Sequence, residues 1–351
     1  MTIILAIGII ALVFYLLAVL SEEFFVPAID ILANKLRLSS DAAGATLLAM
    51  GSSAPEFFTS LTAVVLLANN GHSDVGAGTI VGSAIFNVLV IVGASAMFKA
   101  VKLQWKPVIR DQIFYVITIL MLLWSFSDGK IVMHEAIGFV ITYVLYVFLV
   151  VNWRKWFHYD EPPEPDTPGE AAASNKFHAF THKVIALVVP DTKKHPRAYL
   201  LTFLLSIVAI AGLSWLLVDQ AIVIADTLNI NATFLALTVL AAGTSIPDLI
   251  GSIVVAKQGR GDMAVSNAIG SNIFDVLFGL GMPWTIALLI HPGSITVSKD
   301  NLLASVFLLL ATVIAILFML IVRNWRLGHK SGLILIVLYA AYCIYTAVTI
   351  I

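Results

Sequence analysis

Long apolar runs, each about as long as a bilayer is thick, alternate with short polar breaks along almost the whole chain. A helix needs roughly 20 apolar residues to cross the hydrocarbon layer. By that measure the runs near 2–33, 41–69, 74–98, 110–126, 131–153, 198–226, 232–256, 262–290, 301–322 and 333–351 predict ten membrane-spanning helices. One long polar stretch, Arg154 to Arg197, separates the fifth run from the sixth. It contains DEPPEPDTPGE (Asp160 to Glu170), too acidic and proline-rich to fold alone. Within the same stretch KVIALVV, Lys183 to Val189, is apolar enough to lie along a membrane surface. The expected organisation is a first five-helix repeat over 1–153, a loop over 154–197 too short for a typical folded regulatory domain, and a second five-helix repeat over 198–351.

One pattern inside those runs occurs twice. GSSAPEFFTS, Gly51 to Ser60, returns 192 residues later as GTSIPDLIGS, Gly243 to Ser252. VGSAIFNVL (Val81 to Leu89) is matched by IGSNIFDVL (Ile269 to Leu277), now at an offset of 188. The change of offset places four extra residues in the first copy, around NNGHSD, Asn69 to Asp74. Because each repeat holds an odd number of helices, the second begins on the opposite face of the membrane. The fold expected is therefore an all-α membrane protein of two inverted five-helix repeats, with broken helices carrying the motifs.

Composition agrees. The chain is 60% hydrophobic and 12% charged, against about 25% charged in a soluble domain. A net charge of −1 gives no reason to expect a nucleic-acid partner; the partner expected is the lipid bilayer. The single cysteine, Cys343, rules out an internal disulfide. The opening MTIILAIGII lacks the basic flank of a cleaved signal, so it reads as the start of a retained helix. Of 20 basic residues, only Lys130 and Lys299 fall on one set of alternate loops; the rest, including Lys35, Arg110, Lys194 and Arg326, fall on the other. Basic loops stay cytoplasmic. A multi-pass protein of the cell membrane is expected, with the long loop cytoplasmic and both termini external.

The motifs carry the chemistry. Glu56 and Asp248 each follow a proline inside an apolar run, and a carboxylate at that depth is costly without a functional reason. Gly and Pro interrupt the helical ladder and free backbone groups, which at membrane depth persist only inside protein or along a cavity. Ser52, Ser53 and Glu56 in one half face their counterparts Thr244, Ser245 and Asp248 in the other. The second motifs add Ser83 and Asn87, then Ser271 and Asp275. All present oxygen and none is His or Cys, which suits hard cations such as calcium and sodium. A lone kink is usually only a bend, and an intramembrane Asn is often interhelical glue. Two copies in register, each ending in a carboxylate without a basic residue nearby, favour an ion site. Glu22 and Glu23 in the first run read as structural or gating residues, as do Asp219 and Asp226 near the end of the sixth.

GSSAPE and GTSIPD, with VGSAIFN and GDMAVSNAIGSNIFD, resemble the two alpha-repeats of the cation/calcium exchanger superfamily, the second most like that of the potassium-dependent sodium/calcium exchangers. The resemblance implies a ten-helix inverted-repeat antiporter that exchanges sodium for calcium, and no cofactor. It further implies that Glu56 and Asp248 are the central ligands shared by both ions. Ser52, Ser53, Thr244, Ser245, Ser83, Asn87 and Ser271, with the carbonyls of Ala49 and Ala241, would complete the sites. Asp275 matches an aspartate of potassium-dependent members, which implies co-transport of potassium with calcium. The first and sixth helices would slide against the site-bearing core. The alternatives are a potassium-independent sodium/calcium exchanger and a proton/calcium antiporter; the absence of GNAVE-like motifs speaks against the second. An intramembrane enzyme is disfavoured because no HExxH is present and the serines lack a buried base.

Overall fold

The computed structural model describes residues 2–35, 46, 49–66, 74–98, 101–103, 105–157, 176–257, 261–297 and 299–350. The acidic proline-rich stretch and most of NNGHSD lie outside the described residues. The remainder is almost entirely helical, and eight helices are long and apolar enough to cross a membrane: Ile3–Ile29, Asp74–Phe98, Val108–Phe126, Met133–Trp153, Pro196–Leu228, Ala264–Ile290, Leu302–Val322 and His329–Thr349. The segments carrying the first motifs are not among the eight because they are interrupted. In one, Ala49–Ser52 is followed after a break by Ala54–Leu61; in the other, Ala241–Thr244 is followed by Ile246–Lys257.

Burial sorts the helices into central and peripheral. In the apolar stretch of Asp74–Phe98 that would cross the membrane 94% is buried inside the protein, and in that of Ala264–Ile290 67%, whereas the figures for His329–Thr349 and Met133–Trp153 are 22% and 28%. The peripheral helices turn Phe148, Phe318, Ile344 and Val348 outward. In a bilayer such side chains meet lipid tails, so their exposure costs nothing.

Two apolar cores result. The larger joins the helices of residues 74–150 to those of 265–342, around Tyr115, Phe139, Trp284 and Leu309. The smaller is built mainly from Thr2–Leu20 and Tyr199–Leu228, through Leu17, Phe24, Ile210 and Leu217. The first and sixth apolar runs therefore pack together in one core, into which the motif-bearing segments also send Ala54, Ala63, Leu235, Ala236 and Leu240. Ile185 and Val189 join that smaller core, while Leu187 and Val188 point outward, 85% and 68% exposed.

Two short antiparallel ladders tie distant loops together. Val101–Lys102 pairs with Arg326–Leu327, and Lys130–Ile131 pairs with Ile295–Thr296. The first joins the connection after the third apolar run to that after the ninth. The second joins the connection after the fourth to that after the eighth. In the order of the apolar runs, one ladder becomes the other when runs one to five are exchanged with runs six to ten.

One charge assigned to a loop by sequence is not in one. Arg110 is 2% exposed and grips its neighbour Asp111, with Nε donating to Oδ1 at 2.7 Å and Nη2 to Oδ2 at 3.1 Å. Tyr146 donates to the same carboxylate at 3.2 Å, and the guanidinium lies over the Trp153 ring. A bidentate neighbour makes the buried cation tolerable.

Candidate functional site

Both first motifs kink at the serine before the proline unit. Ser53 has φ −89° and ψ 11°, and Ser245 has φ −87° and ψ 3°, between two helical stretches in each case. Pro55 and Pro247 have no N–H, so the carbonyls of Gly51 and Gly243 lose their helical donor at the kink. The break is a bend, not a gap: Ser53 N–H still reaches Ala49 O at 3.0 Å, and Ser245 N–H reaches Ala241 O at 3.4 Å. The two alanine carbonyls also accept from Ser52 and Thr244 hydroxyls at 3.4 Å. Glu56 and Asp248 sit in the first turn after each kink, where the helix dipole favours negative charge.

The second motifs bring their side chains to the same place. A Cβ on Gly82 would strike the Leu237 carbonyl oxygen and lie 2.7 Å from Ala241 Cβ, so only glycine lets helix Asp74–Phe86 lie flush against the turn Ala236–Leu240. That approach sets Ser83 Oγ 2.8 Å from Ser245 Oγ, and Ser245 donates to Glu56 Oε1 at 3.0 Å. Across the site Ser52 Oγ lies 3.4 Å from Ser271 Oγ. Ser52 also lies beside Asp248, Ser53 beside Asp275, and Thr244 beside Glu56, without completing hydrogen bonds to them.

The structure thus brings Ser52, Ser271, Ser83, Ser245 and the three carboxylates near one another, joins Asn87 to the opposite half, and adds one residue that sequence reasoning missed. Asn272 accepts from Asn87 Nδ2 at 2.8 Å, and its own amide lies 3.1 Å from Ala84 O and 2.9 Å from Tyr115 OH. The signal was present in IGSNIFDVL, where Asn replaces the alanine of VGSAIFNVL, but nothing local shows that it spans the two halves. At Asn87 the helix takes a wide π turn, Asn87–Ile91, and the matching segment after Asp275 ends in a loose turn where Gly279 N–H bonds Phe274 O at 2.9 Å. Such turns mark places where a helix gives up regularity to aim a side chain.

Glu56 and Asp275 are fully buried and Asp248 is 4% exposed. Glu56 Oε2, both oxygens of Asp248, both of Asp275, Ser53 Oγ and Asn87 Oδ1 have no hydrogen-bond partner among the described residues. No described basic side chain forms an ion pair with any of the three carboxylates. All of these atoms are oxygens with lone pairs to give. The carboxylates lie within electrostatic reach of one another, yet no three His, Cys, Asp or Glu side chains among the described residues group tightly enough to hold a single metal ion. The arrangement is a buried, acceptor-rich cluster that holds three carboxylates.

Fold and site together define a helical membrane protein with a buried, acidic, oxygen-rich cluster between two matched pairs of motifs. The family model described as sodium/calcium exchanger protein matches residues 6–152 and 198–348, and the chain belongs to that family. Among curated proteins it is similar to sodium/potassium/calcium exchanger 4 of Mus musculus, 28% identical over 94% of this chain and 78% of that one. It is equally similar to sodium/potassium/calcium exchanger 2 of Gallus gallus, 28% identical over 94% of this chain and 75% of that one. Among solved structures, the H+/Ca2+ exchanger CAX aligns with a TM-score of 0.73 at 16% identity, over 96% of this chain and 81% of that one. The sodium-calcium exchanger NCX_Mj, soaked with sodium and strontium, aligns at 0.58 and 22% identity, over 97% of each chain. These two likenesses bear on the fold alone.

Proposed function

We propose that this protein is an antiporter that exchanges sodium for calcium, with potassium carried alongside calcium, by alternating access around Glu56, Asp248 and Asp275. The observation that carries the reading is the set of buried carboxylate oxygens without partners. Carboxylates close together at low dielectric repel one another unless cations or protons neutralise them. An empty cleft therefore resists the closed, dry intermediate through which alternating access must pass. Calcium, or several sodium ions, relieves the repulsion. Competition for the shared oxygens of Glu56 and Asp248 keeps both from binding at once, and exclusive occupancy coupled to access is exchange. Ser52, Ser53, Ser83, Asn87, Thr244, Ser245 and Ser271 complete the ligand sets, with the carbonyls of Ala49 and Ala241 offering their remaining lone pairs.

The ten-helix inverted repeat belongs to the same reading. It is supported by the matching kinks at Ser53 and Ser245 and by the two ladders that exchange when the sets of five helices are exchanged. The mutual packing of the first and sixth apolar runs, outside the larger core, supports their movement as a unit against the rest. The long loop is cytoplasmic and the termini external, by the charge of the loops. Potassium enters through Asp275, whose charge has no counterpart at Asn87, and through the similarity to two sodium/potassium/calcium exchangers.

Calcium uptake into vesicles with imposed sodium and potassium gradients tests the proposal. Uptake driven by internal sodium and dependent on external potassium is expected; uptake indifferent to sodium overturns it. Protons could also satisfy the unpartnered carboxylates, so a proton gradient in place of sodium measures the alternative in the same vesicles.

A further inference from the structure

Glu22 and Glu23 are adjacent carboxylates inside an apolar span of 27 residues, Ile3–Ile29, yet they occupy different surroundings. Glu23 is held. His178 Nε2 lies 3.0 Å from its Oε1 and His182 Nε2 3.2 Å from its Oε2, with Asp191 Oδ2 3.8 Å behind His182. The His182 ring also stacks on Phe24 at 4.9 Å. The helix Lys176–Ile185 of the long loop is thereby fastened to the first helix, which identifies this end of the helix as the long-loop side.

Glu22 is exposed. The first helix lies directly across both kinked motifs, on either side of this residue. Ahead of it, the Phe14 ring fills the space where a Cβ on Gly243 would be. Beyond it, Ile29 Cδ1 and Val26 Cγ2 would lie 2.9 and 3.5 Å from a Cβ on Gly51. Apolar contacts thus seal the helix to the motifs before and after Glu22, and a carboxylate stands between them. A π turn over Ser21–Phe25 makes the division possible, because its extra width turns neighbouring residues to different sides. The charges that act on Glu22 are those of Glu23 and of Asp248, whose two oxygens are buried and unpartnered. A carboxylate in this position is tolerable only beside water or a cation.

We propose that Glu22 admits cations from the long-loop side: it lines the opening through which calcium and sodium reach Asp248, concentrating them without being a ligand of the final site. Glu23 has no such part, because the two histidines occupy its oxygens. The inference rests on the exchanger reading and deepens it.

The test is sodium-driven calcium flux in sided vesicles, with the accessible face established by proteolysis of the long loop. Glu22→Gln is expected to raise the half-saturating calcium concentration on the loop side by roughly three- to tenfold, as loss of a focusing charge does. The maximal rate and the half-saturating concentration on the opposite side should stay near the parent values. Glu22→Asp should keep the parent value, and about 0.5 M choline chloride should erase most of the difference by screening. An unchanged loop-side value in Glu22→Gln, an equal shift on both sides, or a shift that survives high salt would overturn the proposal. A parent protein without sodium-driven calcium flux would overturn the exchanger reading itself, which separates the two failures.

Discussion

Replacing Glu56 by Gln removes one charge from the cleft while keeping its shape. Glu56 is fully buried, its Oε1 accepts from Ser245 at 3.0 Å, and its Oε2 has no partner. A Gln carbonyl can keep the Ser245 bond, and its amide can donate toward the neighbouring carboxylates. At an effective dielectric of about 20, a carboxylate charge about 5 Å from a divalent cation contributes roughly 6 to 7 kcal/mol. If the cation's lost hydration offsets half, about 3 kcal/mol remains, over a hundredfold in affinity. Calcium at about 100 times the parent Kd stabilises the parent by about 2.7 kcal/mol; at a hundredfold weaker Kd the same calcium gives about 0.4 kcal/mol. Two thermal unfolding curves in detergent, with and without calcium, read this directly. The variant should unfold at a higher temperature than the parent when neither has ions, because one buried charge is gone, and should gain little from calcium. Its exchange activity should be abolished. Near-normal exchange, or a variant that is less stable without ions and still strongly stabilised by calcium, would refute the assignment of Glu56 as a shared ligand.

Asp248→Asn should behave alike in flux assays, with near-normal exchange counting against Asp248. Asp275→Asn should leave sodium/calcium exchange running but largely independent of potassium, as read from calcium flux against potassium concentration at clamped voltage; a parent indifferent to potassium would remove the subfamily reading. Asn272→Leu strands Asn87, Ala84 O and Tyr115 OH, at about 1–3 kcal/mol for each buried group left unpaired, so a large loss of thermal stability is expected in the ion-free protein. Single cysteines introduced as Asn70→Cys and Asp166→Cys in a Cys343→Ala background should differ toward an impermeant thiol reagent on intact cells, with only the first reacting.

The motifs were legible in sequence because each combined three unlike signals in lipid-length runs: a helix breaker, a hydroxyl pair and a carboxylate. Repetition in register then excluded chance, and Ser52, Glu56, Ser83, Ser245, Asp248 and Ser271 do converge. What could not be read was anything set by distance across the fold. Arg110 looked like one more loop cation, since the Asp111 fork, Tyr146 and the Trp153 ring that bury it come partly from another helix. Glu22 and Glu23 looked equivalent, since a π turn leaves no reliable mark in sequence and the histidines that separate them lie over 150 residues away. The kinks themselves were expected to free more backbone than they do, because a residue with ψ near zero keeps the helical bond to the alanine four residues back.

The unequal second motifs follow from packing as much as from ion chemistry. Ala84 corresponds to Asn272 and Asn87 to Asp275. In the structure the Asn272 amide reaches the Ala84 carbonyl, and its Oδ1 takes the Asn87 amide. Two asparagines at the 84/272 position would crowd one another, and two alanines would leave the Asn87 amide and the Tyr115 hydroxyl without that partner. One large and one small residue satisfy the contact, which accounts for the difference between the two motifs here. Asn87 is thereby committed to joining the halves, whereas its counterpart Asp275 keeps both oxygens free of hydrogen bonds among the described residues. The residue that holds the halves together and the residue that carries the additional charge thus occupy matching positions of the two second motifs, and on the exchanger reading that difference is what leaves Asp275 available to an ion.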